Sequence, residues 1–237
     1  DVYKADRGNP TVHAVFGSAK NAPTVTVYEM ATSRAEVFIE VIQPPVPLVI
    51  FGAGHDAAPL VRFAKELGWH VTVVDSRPGY ATRTRFPLAD SLIVCQPEEV
   101  CERITIQRCT VAVVMTHNFL QDAELLRTLL PSPLRYLGLL GPKRRTQRLL
   151  HEARKQGLLL SERNLDRVYG PMGLDIGADT PQEIALAVVT EIQTVLAGRL
   201  GGMLRTREGP LHEQRPAVDV VTVSGKIQGA VSCGHGH

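Results

Sequence analysis

The chain has 237 residues, of which 44% are hydrophobic, and its formal net charge at pH 7 is +2. This length and composition allow a sizeable core, in one domain of ordinary size with additional segments. A net charge so close to zero argues against a partner that is nucleic acid or a membrane surface, and no apolar run approaches the ~20 residues that span a bilayer.

The cysteines and the N-terminal sequence indicate the cellular compartment in which we expect the protein. Four cysteines are present, and none belongs to a CxxC pair. This pattern indicates a cytoplasmic protein with reduced thiols rather than a disulfide framework, and no signal-peptide pattern is found. Because the sequence begins with Asp1 rather than Met, we expect a fragment or a trimmed chain.

Residues 1–46 are predicted to be the end of a preceding β-rich domain followed by a linker. Two segments, Thr24–Tyr28 and Val37–Ile42, have the composition of strands. The proline-rich run Pro44–Pro47 can continue neither a helix nor a central strand, so it is predicted to be the linker.

The most informative stretch is a glycine turn that follows the predicted strand Leu48–Phe51. Gly52, Gly54 and Ala57 occupy the small positions of the G-x-G-x-x-G/A fingerprint of dinucleotide-binding βαβ units. The first glycine permits the tight turn, the second lets backbone approach a phosphate, and the alanine allows close packing of helix on strand. The start of the following helix, predicted over Ala57–Leu67, offers free N–H groups to an anion.

A second predicted strand, His70–Asp75, ends in an acid. Asp75 lies 23 positions after Gly52, near the place where such folds put a ribose-binding acid, about 20 residues on. Asp75 has a second interpretation, in which it caps its loop or pairs with Arg77. Arg77 likewise has two, since it can hold a phosphate or pair with acids on the surface.

Strands and helices continue to alternate up to about residue 140. The further predicted strands are Ser91–Cys95, Thr110–Met115 and Tyr136–Leu140, with helices near Pro97–Ile104 and from Asn118 to about Leu130. Asn118 is predicted to cap its helix, with Gln121 as capping-box partner. The alternation predicts an α/β fold with a doubly wound parallel sheet, Rossmann-like, in the order 3-2-1-4-5, over residues 47–200.

In that strand order the ligand crevice lies where the sheet reverses direction, at the carboxyl ends of strands one and four. The turn Gly52–His55, with its histidine, should therefore face the segment Thr116–Asn118, with His117, across the crevice. Either histidine can contact a cofactor, ligate a metal or move a proton, and either can instead serve only as a hydrogen-bond partner of its loop.

Lys143 opens a predicted helix that runs toward Gln156, directly after a glycine and a proline. Backbone donors and several cations coincide at this helix start. The combination is typical both of an anion site and of an exposed basic helix face, and both interpretations are open.

A second glycine-rich stretch, residues 170–179, contains Asp175 and Asp179. It precedes a helix that should begin with a Thr180–Glu183 capping box and end at Gly198. Packing alone does not require two carboxylates among flexible glycines, so we predict a role for this stretch in binding or docking.

The remainder, residues 201–237, is predicted to be an irregular C-terminal extension with one strand near Val218–Val223. Cys233, His235 and His237 have the residue types of metal ligands, but their spacing fits no standard zinc pattern. We therefore predict no metal site. No nucleophile–base pair or close pair of acids is evident along the chain, so no catalytic residue is predicted.

Several motifs together resemble the xanthine dehydrogenase accessory proteins, the XdhC/CoxI family. The most specific motif is Pro171–Ala185, PMGLDIGADTPQEIA. The others are LVIFGAGH at Leu48–His55, the loop from Asp75 to Pro87, VMTH at Val114–His117, Tyr136–Gly141 with the basic residues after it, and Arg207–His212. The resemblance runs from about Val37 to His212.

The resemblance implies a maturation factor rather than a turnover enzyme. Such proteins bind the molybdenum cofactor, as molybdopterin or its dinucleotide form. They protect it while a cysteine desulfurase or other sulfurtransferase adds the terminal sulfido ligand, and they help insert it into apo molybdenum hydroxylases of the xanthine dehydrogenase or aldehyde oxidase type. A homodimer is compatible with the sequence. The cofactor-binding candidates are Gly52, Gly54, His55, Ala57, Asp75, Arg77, Thr116, His117, Lys143, Asp175 and Asp179.

Two other functions remain open. An NAD(P)-dependent oxidoreductase would use the same glycine fingerprint, but it needs a pocket for the substrate of hydride transfer, and the sequence indicates no separate catalytic domain for one. A protein-interaction scaffold that has lost its small-molecule ligand would keep the fold with a poorly formed crevice.

Overall fold

The computed structural model describes residues 24–30, 33–39, 44–209 and 218–222. The strands are β1 (Thr24–Met30), β2 (Ser33–Ile39), β3 (Pro47–Phe51), β4 (His70–Asp75), β5 (Ser91–Val94), β6 (Val111–Val114), β7 (Tyr136–Leu139), β8 (Val168–Tyr169) and β9 (Val218–Thr222). The helices are α1 (Ala57–Glu66), α2 (Val100–Arg103), α3 (Phe119–Leu129), α4 (Lys143–Lys155), α5 (Glu162–Leu165) and α6 (Pro181–Ala197), with 3₁₀ turns at Pro97–Glu99 and Leu204–Thr206.

The chain divides into two compact units, and Pro45–Arg207 forms the larger one. In the smaller unit, β1 pairs antiparallel with β2 and parallel with β9, in the order β2-β1-β9. Strands are thus present near the predicted Thr24–Tyr28 and Val218–Val223. The strand predicted over Val37–Ile42 begins earlier, at Ser33, where it pairs with the end of β1.

The larger unit contains a six-stranded sheet in the order β5-β4-β3-β6-β7-β8, and every pair in it is parallel. Numbered within this unit, the order is 3-2-1-4-5-6, which confirms the predicted doubly wound fold and its first five strands. The sixth strand, Val168–Tyr169, was not predicted, because two residues are too few to show a strand periodicity.

Both faces of this sheet are covered, so its central strands are apolar on both sides. Leu48 and Ile50 of β3 belong to a core that includes buried residues of α1 and α6. Val49 and Phe51 belong to a second core with α3 and α4. The alternation along β3 therefore divides its side chains between two helical layers.

Most of the predicted helix signals are confirmed, with one correction. Thr180 and Glu183 form the reciprocal capping box at the start of α6. Asn118 caps α3 through its side chain, but Gln121 does not complete a capping box there. Its amide donates to Ser76 Oγ at 2.9 Å instead, and the Asn118 N–H donates to Thr116 Oγ1 at 3.1 Å. The nearby threonine hydroxyl thus satisfies the donor that a capping box would use.

Within the described part of the chain, no helix has both the length and the apolar character needed to cross a membrane. The sequence motif Cys233, His235 and His237 lies outside the described residues, as does Pro210–His212 of the family motif.

Candidate functional site

The carboxyl ends of the parallel strands meet at one edge of the large sheet, where three loops come together. The glycine turn follows β3, Thr116–Asn118 follows β6, and Gly141–Pro142 follows β7. Each loop leads into a helix, so the positive ends of α1, α3 and α4 all lie at this edge. The predicted meeting of the glycine turn with the Thr116–His117 segment occurs here.

The two glycines of the fingerprint differ in what surrounds them. Gly52 has φ of +112°, and a Cβ there would lie 2.4 Å from the carbonyl oxygen of Met115. The turn therefore passes against backbone at the end of β6, as the tight-turn role requires. A Cβ on Gly54 would lie 2.4 Å from Asp56 Oδ1, so the group close to this glycine is the chain's own carboxylate. Ala57 is fully buried in the core beneath α1.

His117 is the strained residue of the site. It is the non-glycine residue with positive φ, 60°, in the described part of the chain, and such a conformation costs about 1–2 kcal/mol for an L-residue other than glycine. Its Nε2 lies 2.7 Å from Asp56 Oδ2, and its side chain is 61% exposed. His55 is exposed in the turn before α1. The structure thus places His117, rather than His55, in the contact across the crevice.

Asp75 is buried and accepts four hydrogen bonds. Its Oδ2 accepts from the Ala53 N–H at 2.7 Å and from Arg77 Nη2 at 2.8 Å. Its Oδ1 accepts from the Arg77 N–H at 2.9 Å and from Arg77 Nε at 2.8 Å. Burial raises the pKa of Asp75, but these bonds outweigh it and hold the pKa below its ordinary value. The carboxylate therefore fastens the glycine turn to the end of β4.

Arg77 continues from this ion pair onto an aromatic ring. Its guanidinium lies 3.4 Å from the centroid of Tyr80, and that of Arg85 lies 4.6 Å from the same centroid. The hydrogen bonds that Arg77 donates to Asp75 raise the pKa of Arg77. Two cations thus share one aromatic side chain beside the end of β4.

A buried ion pair lies on the other side of the crevice. Asp122 is 3% exposed. Its Oδ2 accepts from Arg145 Nη2 at 2.7 Å, and its Oδ1 accepts from Thr116 Oγ1 at 2.5 Å. The Thr116 hydroxyl therefore connects the loop after β6 to α3, and Arg145 connects α4 to the same carboxylate.

This ion pair lines a cavity of about 270 Å³ between the ends of β6 and β7. The lining residues are Met115, His117, Asp122, Leu140, Gly141, Pro142 and Arg145. Gly141 has φ of +110°, and a Cβ there would lie 2.9 Å from Arg145 Cδ. The glycine thus leaves the space in which the arginine side chain lies.

The half of the crevice between β3, β4 and β6 is much tighter. Its cavity is about 20 Å³ and is lined in part by Gly52, Asp75, Thr116 and Gln121. That volume accommodates about one water molecule, so a ligand of any size has to lie outside it or in the larger cavity.

The start of α4 is strongly positive. Pro142 precedes the helix and provides no side-chain cap, and no acid lies in the first turn. Lys143 is exposed there, one residue from the cavity lining. The Arg145 N–H donates to the Pro142 carbonyl oxygen at 2.7 Å. The N–H groups of the two positions before it, the helix dipole and the nearby lysine together favour an anion.

The second glycine-rich loop packs onto α6 instead of lining either cavity among the described residues. The Gly173 N–H donates to Glu191 Oε2 at 3.0 Å, and the Tyr136 hydroxyl donates to the same oxygen at 2.5 Å. Burial and this carboxylate raise the pKa of Tyr136 well above its usual range. Asp175 and Asp179 are exposed on the loop.

Sequence reasoning missed Asp56 and Asp122, and it gave Arg145 only as one of the cations at the start of its helix. Asp56 and Arg145 follow glycine turns that were recognised, but their side-chain directions could not be read from the sequence. Asp122 did leave a signal, because it shares the buried stripe of α3 with Leu125, Leu126 and Leu129. An acid within such a stripe indicates a buried partner.

Residues 48–192 match the protein family described as XdhC Rossmann domain. The chain is 35% identical over 190 residues to a protein of Bacillus subtilis (strain 168) that is named as a probable xanthine dehydrogenase subunit, a match covering 77% of this chain and 55% of that protein. It is 32% identical over 197 residues to "Uncharacterized protein YqeB" of Escherichia coli (strain K12), covering 83% and 35% respectively.

Among solved structures, the chain is similar to one described as a xanthine dehydrogenase from Bacillus halodurans. The TM-score is 0.59 and the sequence identity 38%, over 65% of this chain and 45% of that chain. The chain therefore spans about half the length of these relatives, or less.

Proposed function

The chain belongs to the XdhC family, and we propose that it is an accessory protein of a xanthine dehydrogenase-type molybdenum hydroxylase. In this proposal it binds the molybdenum cofactor, shields it during sulfuration by a cysteine desulfurase, and helps insert it into the apo enzyme. The relatives whose names include xanthine dehydrogenase support the association with that enzyme system.

The observation that carries the proposal is the cavity between β6 and β7, which opens beside an uncapped, basic helix start. Arg145 lines it in its ion pair with Asp122, and the next two cations, Lys143 and Arg144, are exposed at the first positions of α4. The cofactor is a pterin that carries a phosphate, or a dinucleotide in some forms. An anionic group is what this donor set would hold, through N–H groups and cations together.

The size of the cavity limits how much of the cofactor it can enclose. About 270 Å³ lies just below the ~300–1,000 Å³ of typical small-molecule pockets. We therefore propose that Lys143 and the N–H groups at the start of α4 would hold the phosphate-bearing end, and that the remainder of the cofactor would lie outside the cavity. When bound, the cofactor supplies the metal of the client enzyme, and the role of this chain is to bind it and to exclude water from one end.

The same geometry argues for α4, rather than α1, as the anion-binding helix. Asp56 places a carboxylate next to Gly54 at the start of α1, and His117 bonds to that carboxylate. A pyrophosphate at this position would have to displace a negative charge. The four hydrogen bonds on Asp75 likewise leave no acceptor for a ribose hydroxyl. Both features disfavour an NAD-dependent oxidoreductase, and the first disfavours an NADP-dependent one as well.

Insertion can be tested with purified, cofactor-free xanthine dehydrogenase, isolated molybdenum cofactor and this protein. We expect the protein to raise the yield of active enzyme, and Lys143→Glu to lose that effect because it reverses the charge at the cavity. Lys155→Glu, at the far end of the same helix, is the matched control and should behave as the wild type. An activation yield that is unchanged by the protein would contradict the proposal.

A further inference from the structure

The loop after β4 contains a second cluster of cations that the proposed cofactor cavity does not use. Arg77, Arg83 and Arg85 lie within nine residues that contain no acid. Arg83 has a structural role, since its guanidinium donates to the carbonyl oxygens of Ala89 and Asp90. Arg77 and Arg85 instead lie on the Tyr80 ring.

The net charge of this loop depends on the hydrogen bonds that Asp75 already accepts. An ionised carboxylate has about four lone-pair sites, and four donors already occupy those of Asp75. It neutralises one guanidinium, which leaves the second one in excess. The place at the end of this strand where the fold usually positions a ribose-binding acid therefore presents cations and no free acceptor.

Arg77 is also held in a fixed orientation. Its Nε and Nη2 donate to Asp75 on one edge, and its Cζ lies 3.4 Å from the centroid of the Tyr80 ring. Among the described residues no bond is made by its Nη1, and 47% of the side chain is exposed. A guanidinium fixed in this way loses little conformational entropy when it binds a ligand.

We propose that Arg77 and Arg85 form a nucleotide subsite that recognises a phosphate group on the ribose, rather than a ribose with free hydroxyl groups. The phosphate accepts hydrogen bonds from Arg77 Nη1 and from Arg85, because charge-assisted bonds from two guanidinium groups suit a doubly negative oxyanion. Asp75 acts here as a positioning residue for Arg77.

Calorimetric titration of the full chain with adenosine 2′,5′-bisphosphate and with adenosine 5′-diphosphate tests this subsite. The two probes carry the same number of phosphates in different places. We expect the 2′,5′-bisphosphate to bind at least about tenfold more tightly, as expected for one charge-assisted bond. Equal affinities, or no binding of the bisphosphate, would overturn the proposal.

Three variants complete the test. Arg77→Ala should abolish the preference between the two nucleotides. Because this change also leaves Asp75 without its partner, Arg85→Ala is the second variant. Within the described ranges, the Arg85 side chain contacts only the rings of Tyr80 and Phe86 and the Tyr80 carbonyl oxygen, at 3.4 Å. Arg85→Ala should reduce the preference while the protein stays folded. Arg62→Ala, an exposed arginine on α1, should leave the preference unchanged, and a preference that survives both loop variants would refute the assignment.

Discussion

His117 Nε2 lies 2.7 Å from Asp56 Oδ2, which joins the loop after β6 to the turn before α1. This contact spans the crevice of a doubly wound sheet at its switch point. It is made by a histidine in a left-handed conformation, with φ of 60°. The histidine pairs with a carboxylate at the helix start where a nucleotide-binding fold would place a phosphate.

The strain at His117 predicts an order of stability between two variants. His117→Gly and His117→Ala both remove the contact with Asp56, but only glycine adopts this backbone conformation freely. We expect the glycine variant to be more stable than the alanine variant by about 1 kcal/mol. Urea unfolding monitored by circular dichroism measures the difference, and an alanine variant of equal or higher stability would contradict the strain.

The two glycines of the fingerprint should respond differently to alanine. Gly52→Ala forces a Cβ against the backbone of Met115 at a positive φ, and we expect it to lower the unfolding free energy by more than ~2 kcal/mol. Gly54→Ala meets side chains alone, those of Asp56 and His117. The Asp56 carboxylate can rotate away at the cost of its contact with His117, so this change should cost about 1 kcal/mol. Comparable losses in denaturant titrations of both variants would refute this distinction.

The ion pair between Arg145 and Asp122 should contribute to stability because Asp122 is buried. Arg145→Met leaves that carboxylate without its cation. We expect a loss of about 2 kcal/mol, less than the ~3–5 for a fully buried pair, since Arg145 is one-quarter exposed. Arg144→Met, at the exposed neighbouring position, should stay within about 0.5 kcal/mol of wild type. Thermal or urea unfolding measures the loss of unfolding free energy in the two variants. Equal losses would show that the ion pair does not stabilise the fold.

Asp75 predicts a pH dependence of stability. Burial raises the pKa of Asp75, but the hydrogen bonds from Arg77 and from the Ala53 N–H lower it by more than burial raises it. The folded-state pKa therefore lies below the ordinary value. A lowered pKa adds stability that is present above the unfolded-state value, about pH 4, and is lost as the pH falls through the folded-state pKa. The stability difference between wild type and Asp75→Asn should therefore shrink below about pH 4. Urea midpoints that differ by the same amount at pH 7 and pH 3 would contradict this.

The parts of the fold that depend on local sequence patterns could be predicted. The β3 turn, the acid that ends β4 and the Thr180 capping box each depend on residues close in sequence, and all three are present. β8 was not predictable, because its two residues are held by pairing with β7 rather than by a pattern of their own.

The site was less predictable because its partners are far apart in sequence. His117 was recognised at the switch point, yet its partner Asp56 lies 61 positions away. Asp75 was recognised as well, with two interpretations open, and only the side-chain geometry shows its four donors. The Arg145–Asp122 pair required knowing that α3 and α4 are neighbours, which follows from the strand order but not from either helix alone.

The most direct test of the proposed cofactor site is an anaerobic thermal shift with isolated molybdenum cofactor, with NAD(H) and NADP(H) alongside. A ligand at 100 times its dissociation constant stabilises a protein by ~2.7 kcal/mol, a readily visible change. We predict that the cofactor raises the melting temperature of wild type and of Lys155→Glu, and that Lys143→Glu loses the increase. No increase with the cofactor, or an equal increase in all three proteins, would contradict a cofactor site at the start of α4.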